Sequence, residues 1–263
     1  MAGALRVRDD RAMIISHDVA GPSNGPAVLL LHSSVCDRRM WEPQWAPLAE
    51  AGFRVVRADF RTCGDSPAAE APYSDDGDVL ALMDRLGIER AAFVGSSYGG
   101  RVALRLAALH PDRVRSLALL CPARPAQRRG PALLAFNAAE GALLEAGDLE
   151  GAAELNARQW LGPDADAAAH ALVRAMQLGN LRGALAASGE HELPEPAVDL
   201  TALTVPVLAI GGAHDIPDFR DVPAELASLV PGALHVELPW AGHLPSLERP
   251  AQTTRLLLDF LRR

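Results

Sequence analysis

The segment Gly95-Ser96-Ser97-Tyr98-Gly99 joins an apolar run, Ala91 to Val94, to a helix-like run, Arg101 to Leu109. A strand that turns into a helix within so few residues needs a sharp bend. Glycine at both flanks removes the side chains that would collide with the backbone there. The serine between them is then held in a strained conformation at the carboxyl edge of a sheet. Ordinary packing asks for no serine at that place. The segment points to Ser97 as a nucleophile and to a fold in which strands alternate with helices.

The rest of the chain keeps that rhythm. Ala27–Leu31 is a continuous apolar run, as in a strand buried on both faces. Further strands are predicted over 53–58, 91–96, 114–120, 205–210 and 234–238, and an N-terminal hairpin over 4–8 and 11–19. Helices are predicted over 40–50, 75–86, 98–109, 221–230 and 246–261; the second ends at Gly87, a C-cap signal. After Cys121 the alternation stops. Residues 123–196 are rich in alanine, helical in pattern and edged by Pro122, Pro125, Pro131, Pro194 and Pro196. The expectation is a mostly parallel α/β core, 1–122 and 197–263, with a helical insertion over 123–196.

A chain of 263 residues suffices for one such domain with an insertion. All 25 basic residues are arginine, so a lysine Schiff base and a Ser–Lys dyad are excluded. The net charge of −8 argues against nucleic acid as a partner, and Arg38-Arg39 and Arg128-Arg129 are too short for a polyanion track. Three cysteines, Cys36, Cys63 and Cys121, lack metal-binding spacing and leave an odd one over, which suggests free thiols in a reducing compartment. No signal peptide or membrane-spanning apolar run is visible. The chain is expected to be cytoplasmic and to have no membrane partner. Its oligomeric state is left open.

A serine hydroxyl needs a base to act as a nucleophile. Of eight histidines, His243 stands in the loop between the last predicted strand and the last helix, which opens at the same sheet edge as Ser97. His235 falls inside a strand pattern; His17, His110, His170, His191 and His214 fall in hairpin, helix-end, insertion or loop positions. The base in turn needs an acid to fix its tautomer. Asp215 follows the predicted strand 205–210, and Asp218 is the reserve. Ser97, Asp215 and His243 thus each follow a different strand and share one sheet edge.

With these pieces the chain resembles the α/β-hydrolase superfamily over nearly its whole length. The matching segments are Leu29-Leu30-Leu31-His32, Asp59 to Pro67, Gly95 to Gly100, Gly212 to Asp215, and Gly242-His243 with Glu248-Arg249-Pro250. The resemblance implies an eight-stranded, mostly parallel sheet with an antiparallel second strand and helices on both faces. It implies a helical cap after the sixth strand, and neither a metal nor an organic cofactor. It also implies an oxyanion hole from the backbone N–H groups of Ser34 and Tyr98. Ser33 stands where the family commonly has glycine, and Thr62-Cys63 stand where it often has Gly-His. His32 reads as a structural hydrogen-bonder, and Cys63 as a small loop residue.

The resemblance implies a serine hydrolase that cleaves a small apolar ester or lactone through an acyl-enzyme. Phe136, Trp160, Met176 and Leu181 are candidates to line its pocket, with cap core as the alternative for each. The segment His32 to Gln44, with Met40-Trp41, is loosely similar to that of enol-lactone hydrolases. Serine at position 97 argues against haloalkane dehalogenases and epoxide hydrolases, which use aspartate, and against dienelactone-type enzymes, which use cysteine. C–C bond hydrolysis of a ketone, and acyl transfer or cyclisation, use the same three residues and stay open. A non-catalytic binder is a further alternative, favoured only by Ser33.

Overall fold

The computed structural model describes residues 15–187 and 191–263. Among the described residues the sheet has seven strands rather than eight. They are β1 (His17–Ala20), β2 (Ala27–Leu31), β3 (Arg54–Ala58), β4 (Ala91–Ser96), β5 (Val114–Leu120), β6 (Val207–Gly212) and β7 (Leu234–Leu238), in the order β1-β3-β2-β4-β5-β6-β7. Every pairing is parallel except that of β1 with β3. The antiparallel strand is therefore the first described strand, not the second. Of the expected N-terminal hairpin only β1 lies within the described residues; residues 1–14 fall outside them.

The central strands are apolar throughout because both faces are covered. In β2, Leu29 and Leu31 pack with Val79, Leu82 and Met83 of α2 (Asp75–Arg85) and with α3 (Tyr98–Leu109). Val28 and Leu30 face the other way, toward Leu48 of α1 (Glu42–Glu50) and Leu257 and Phe260 of α10 (Pro250–Leu261). This is the two-residue period of a strand read by two separate cores. Each side chain so buried contributes ~1.5–3 kcal/mol.

Three helices separate β5 from β6: α4 (Pro131–Glu145), α5 (Leu149–Trp160) and α6 (Ala167–Ala186). They follow the fifth described strand rather than a sixth. The carboxylates of Asp148 and Asp166 cap α5 and α6, accepting from the N–H groups of Gly151 and Ala169. The 123–196 stretch forms no strand among the described residues beyond a single parallel bridge between Tyr73 and Glu192.

Two boundaries differ from the sequence reading. β6 starts after Pro206, which has no N–H for the ladder, and runs on through Gly211 and Gly212. The last helix is broken. α9 (Pro245–Glu248) stops at Arg249, whose backbone (φ −137°, ψ 74°) lies outside the helical region that a following proline disfavours, and α10 starts at Pro250. Two short helices, α7 (Pro217–Arg220) and α8 (Val222–Leu229), fill the span between β6 and β7.

Candidate functional site

Ser97 sits between the end of β4 and the start of α3 with φ 50° and ψ −113°, a conformation costly for a residue with a side chain. The surroundings fix it. Its N–H donates to Leu120 O (3.0 Å), and its carbonyl accepts from Ala123 N (3.0 Å). A Cβ on Gly95 would lie 2.6 Å from Gly99 O, and one on Gly99 would lie 2.2 Å from Leu31 O. Both flanking glycines are thus demanded by close backbone approach.

Asp215 and His243 meet at the same edge. His243 Nδ1 and Asp215 Oδ2 are 2.6 Å apart, both side chains almost wholly buried. Asp215 Oδ1 accepts from Ile216 N (2.8 Å), and the His243 N–H donates to Trp160 O (3.0 Å). The imidazole packs against the rings of Trp160 and Phe219, at centroid distances of 4.8 and 4.5 Å, and those two rings also meet edge-on (5.6 Å). The reserve acid, Asp218, serves elsewhere: its carboxylate accepts from Gly130 N and Leu133 N at the start of α4.

Glu248, to which the sequence reading assigned no role, braces the loop that carries His243. Its two carboxylate oxygens accept from Gly242 N (2.8 Å) and Leu244 N (3.1 Å), on either side of His243. Burial pushes its carboxyl above the ordinary value, against the pull of those N–H groups. The acid two residues before Pro250 was part of the family resemblance, but its partners could not be read from spacing.

On the other side of Ser97 the segment after β2 forms a tight turn, with Cys36 N donating to Ser33 O (2.9 Å). Phe60 N donates to His32 Nε2 (2.9 Å), so His32 Nδ1 carries the proton and donates to Ser33 O (2.7 Å). Burial lowers the pKa of this ring and favours its neutral form. His32 is therefore a structural hydrogen-bonder, as expected. Ser33 has no positive φ, so the missing glycine costs no strain. Asn180 of α6 donates to the carbonyls of Ser34 (3.3 Å) and Cys36 (2.7 Å), fastening this loop to the helices above. Among the described residues neither the Ser34 nor the Tyr98 N–H has an acceptor, whereas that of Gly99 goes to His32 O.

Ser97, His243, Ser33 and Ser34 line one cavity of about 310 Å³, at the small end of ligand pockets. Of the four candidates, Phe136, Trp160 and Leu181 line this cavity. Met176 does not. It is fully buried in the core with Ala157 and Val173, and its neighbour Gln177 takes the place on the cavity wall. Glu140, Asn137, Asn156 and Phe219 also line the cavity and were missed.

The cysteines are ill placed to act as nucleophiles. Burial raises the pKa of Cys36, Cys63 and Cys121, which keeps them as thiols. Cys121 Sγ donates to Gly242 O (3.4 Å) and shares a 4.8 Å cluster with one ligand atom each of Asp215 and His243. That trio is the donor set nearest to a metal site among the described residues. His243 Nδ1 is already committed to Asp215, and a metal there would break that bond.

The sequence pattern of the alpha/beta hydrolase fold matches residues 26–250. The chain belongs to the α/β-hydrolase family. A member named provisionally as a carbamate hydrolase, RutD of Variovorax paradoxus, is 33% identical over 95% of this chain and 97% of its own. The enol-lactonase of Burkholderia xenovorans LB400 superposes with a TM-score of 0.76 at 30% identity, over 95% of this chain and 96% of that one. The 3-oxoadipate enol-lactonase 1 of Acinetobacter baylyi is 34% identical over a shorter stretch, 43% of each chain. The chain is thus an α/β-hydrolase enzyme, and the binder alternative falls away. Among its described residues no helix is long and apolar enough to cross a membrane.

The Tyr98 ring is held on the far side of this α/β-hydrolase site. It packs edge-on to Phe60 (5.3 Å), and its hydroxyl lies 2.5 Å from Asp75 Oδ2 and 3.2 Å from Glu192 Oε1. Burial pushes the Asp75 carboxyl up to about 6, partly offset by the Tyr98 hydrogen bond. The folded chain therefore holds this proton more tightly than the unfolded one. The stabilisation is present below pH 4 and is lost as pH rises through about 6. Asp75→Asn is expected to remove that decline, at most about 3 kcal/mol. Urea denaturation at pH 4.5 and 7.5 checks it. An unchanged pH dependence in the variant contradicts it.

Proposed function

We propose that the chain is a serine hydrolase of carboxylic esters or lactones. Ser97 attacks the carbonyl, His243 takes the serine proton, and Asp215 holds the His243 ring and stabilises the imidazolium. The N–H groups of Ser34 and Tyr98 receive the oxyanion, each such donor being worth ~10²–10³ in rate. The leaving alcohol takes its proton from His243. Water activated by the same ring then releases the acid from the acyl-enzyme.

In this reading residues 123–196 act as a cap over a core of 1–122 and 197–263. Helices α4, α5 and α6 close the cavity from above and choose the substrate. The cavity needs no cofactor for this chemistry.

The observation that carries the reading is the pairing of His243 with Asp215 at 2.6 Å on the wall that Ser97 shares. The enol-lactonase likeness supports a lactone or ester carbonyl as the target. The test is hydrolysis of short p-nitrophenyl esters by the wild type and by His243→Ala and Asp215→Asn. Turnover that collapses in both variants supports the mechanism. A folded wild type without turnover contradicts a general esterase.

A further inference from the structure

The cavity over Ser97 has two chemically different ends. Near His243 it is aromatic: Phe136 packs on Trp160 (4.8 Å), and Trp160 packs on His243. Four residues along their helices the lining turns polar. Glu140 follows Phe136 in α4, Asn156 precedes Trp160 in α5, and Gln177 precedes Leu181 in α6. Four residues of helix span ~6 Å, so the polar tier stands about that far from the aromatic one.

The polar tier has two spare acceptors, one of them a carboxylate oxygen, and no cationic side chain. Asn156 Nδ2 donates to Glu140 Oε1 (2.6 Å) and Gln177 Nε2 to the same oxygen (3.4 Å). Asn156 Oδ1 is taken by the Trp160 indole N–H (3.0 Å). No described residue donates to Glu140 Oε2. Gln177 is 6% exposed, and its Oε1 has no partner at all. Since Gln177 faces a carboxylate with its nitrogen, its oxygen is the atom left over. Leaving a buried acceptor unpaired costs ~1–3 kcal/mol, a cost that a ligand bearing donors would remove. The described lining holds no arginine, and the chain has no lysine.

Resting on the reading of Ser97 as nucleophile, we propose that this pocket selects small esters or lactones whose far end carries a hydrogen-bond donor. An ammonium group fits best, because it meets the Glu140 carboxylate with opposite charge and has N–H groups for both Glu140 and the Gln177 oxygen. A carboxylate at the same end meets the Glu140 carboxylate and the unpaired Gln177 oxygen, with no cation to balance it. Substrate choice then lies in α4 and α6, apart from the bond-breaking residues.

Three ethyl esters of matched length test this: ethyl pentanoate, ethyl 4-aminobutanoate and monoethyl succinate. Each is measured at pH 7 as a substrate and as a competitor of p-nitrophenyl acetate turnover. The wild type is expected to favour the ammonium ester over the carboxylate ester by tenfold or more. Glu140→Gln is expected to bring that ratio close to one. Gln177→Met, which keeps Glu140 and removes the spare acceptor, is expected to lower it in part. Fluorophosphonate labelling of each variant confirms a folded site. A wild type that turns over esters but shows no ammonium preference overturns the proposal and leaves the hydrolase reading intact. So does a preference that survives Glu140→Gln. Failure of the wild type both to turn over any ester and to be labelled overturns the hydrolase reading and this proposal with it.

Discussion

Ser97→Ala is expected to lower kcat on an activated ester by ~10⁶-fold while leaving the fold intact. The backbone at Ser97 is held by hydrogen bonds from its own N–H and carbonyl, not from its hydroxyl. Alanine keeps the same Cβ and the same positive φ, so the elbow has no reason to relax. A stability change within about 0.5 kcal/mol is expected, as for substitutions that disturb no packing. Loss of turnover in a chain of unchanged stability separates a nucleophile from a structural serine. The remaining rate over water reports what binding and the backbone donors supply alone. A variant that keeps more than a hundredth of the wild-type rate contradicts the account.

Gly212→Ala is expected to damage folding and activity together. A Cβ at this position would lie 1.9 Å from Gly242 O and 2.6 Å from Ala241 O. Both are backbone atoms, so no side chain can swing aside. The strand or the loop that carries His243 must move, at a cost of about 3 kcal/mol. Misplacing the ring by about 1 Å is enough to lose ~10²-fold in rate. Gly179→Ala is the matching control. It lies in α6 with nothing near its added methyl group, and alanine there is expected to stabilise by about 0.5–1 kcal/mol. Denaturation curves for the two variants, with kcat per labelled site, check the pair. Equal stabilities would contradict the contact on which the argument rests.

The contrast at Gly212 also explains what the sequence made legible. The elbow could be read because its steric demand leaves glycines on both sides of one serine. Asp215 and His243 could be placed at one edge because each closely follows a strand, apolar in β6 and alternating in β7. The same glycine logic misled at β6. Gly211 and Gly212 look like a strand ending, whereas the strand continues and Gly212 keeps a side chain out of the His243 loop. Pro250 was visible in the sequence, and the helix break it forces at Arg249 followed from its chemistry but was not drawn.

The pocket was legible in part. Phe136, Trp160 and Leu181 line it, and Met176 does not. Adjacent helical residues point about 100° apart. A sequence period shows that 173, 176, 177 and 180 share an inner face, but not which edge of it meets a cavity and which meets the core. Looking for apolar linings also hid Glu140, Asn156 and Gln177. Their spacing from Phe136, Trp160 and Leu181, four residues in each helix, was the available signal. Asn180 and Glu248 were harder to find, since each acts on backbone groups of a distant or turned segment.

Intact-mass measurement after treatment with a fluorophosphonate tests the central claim most directly. It asks only whether Ser97 is activated, and needs no knowledge of the natural substrate. The account predicts a single adduct on Ser97, absent in Ser97→Ala and strongly slowed in His243→Ala. No adduct on the folded wild type, or an adduct that persists in Ser97→Ala, would contradict it.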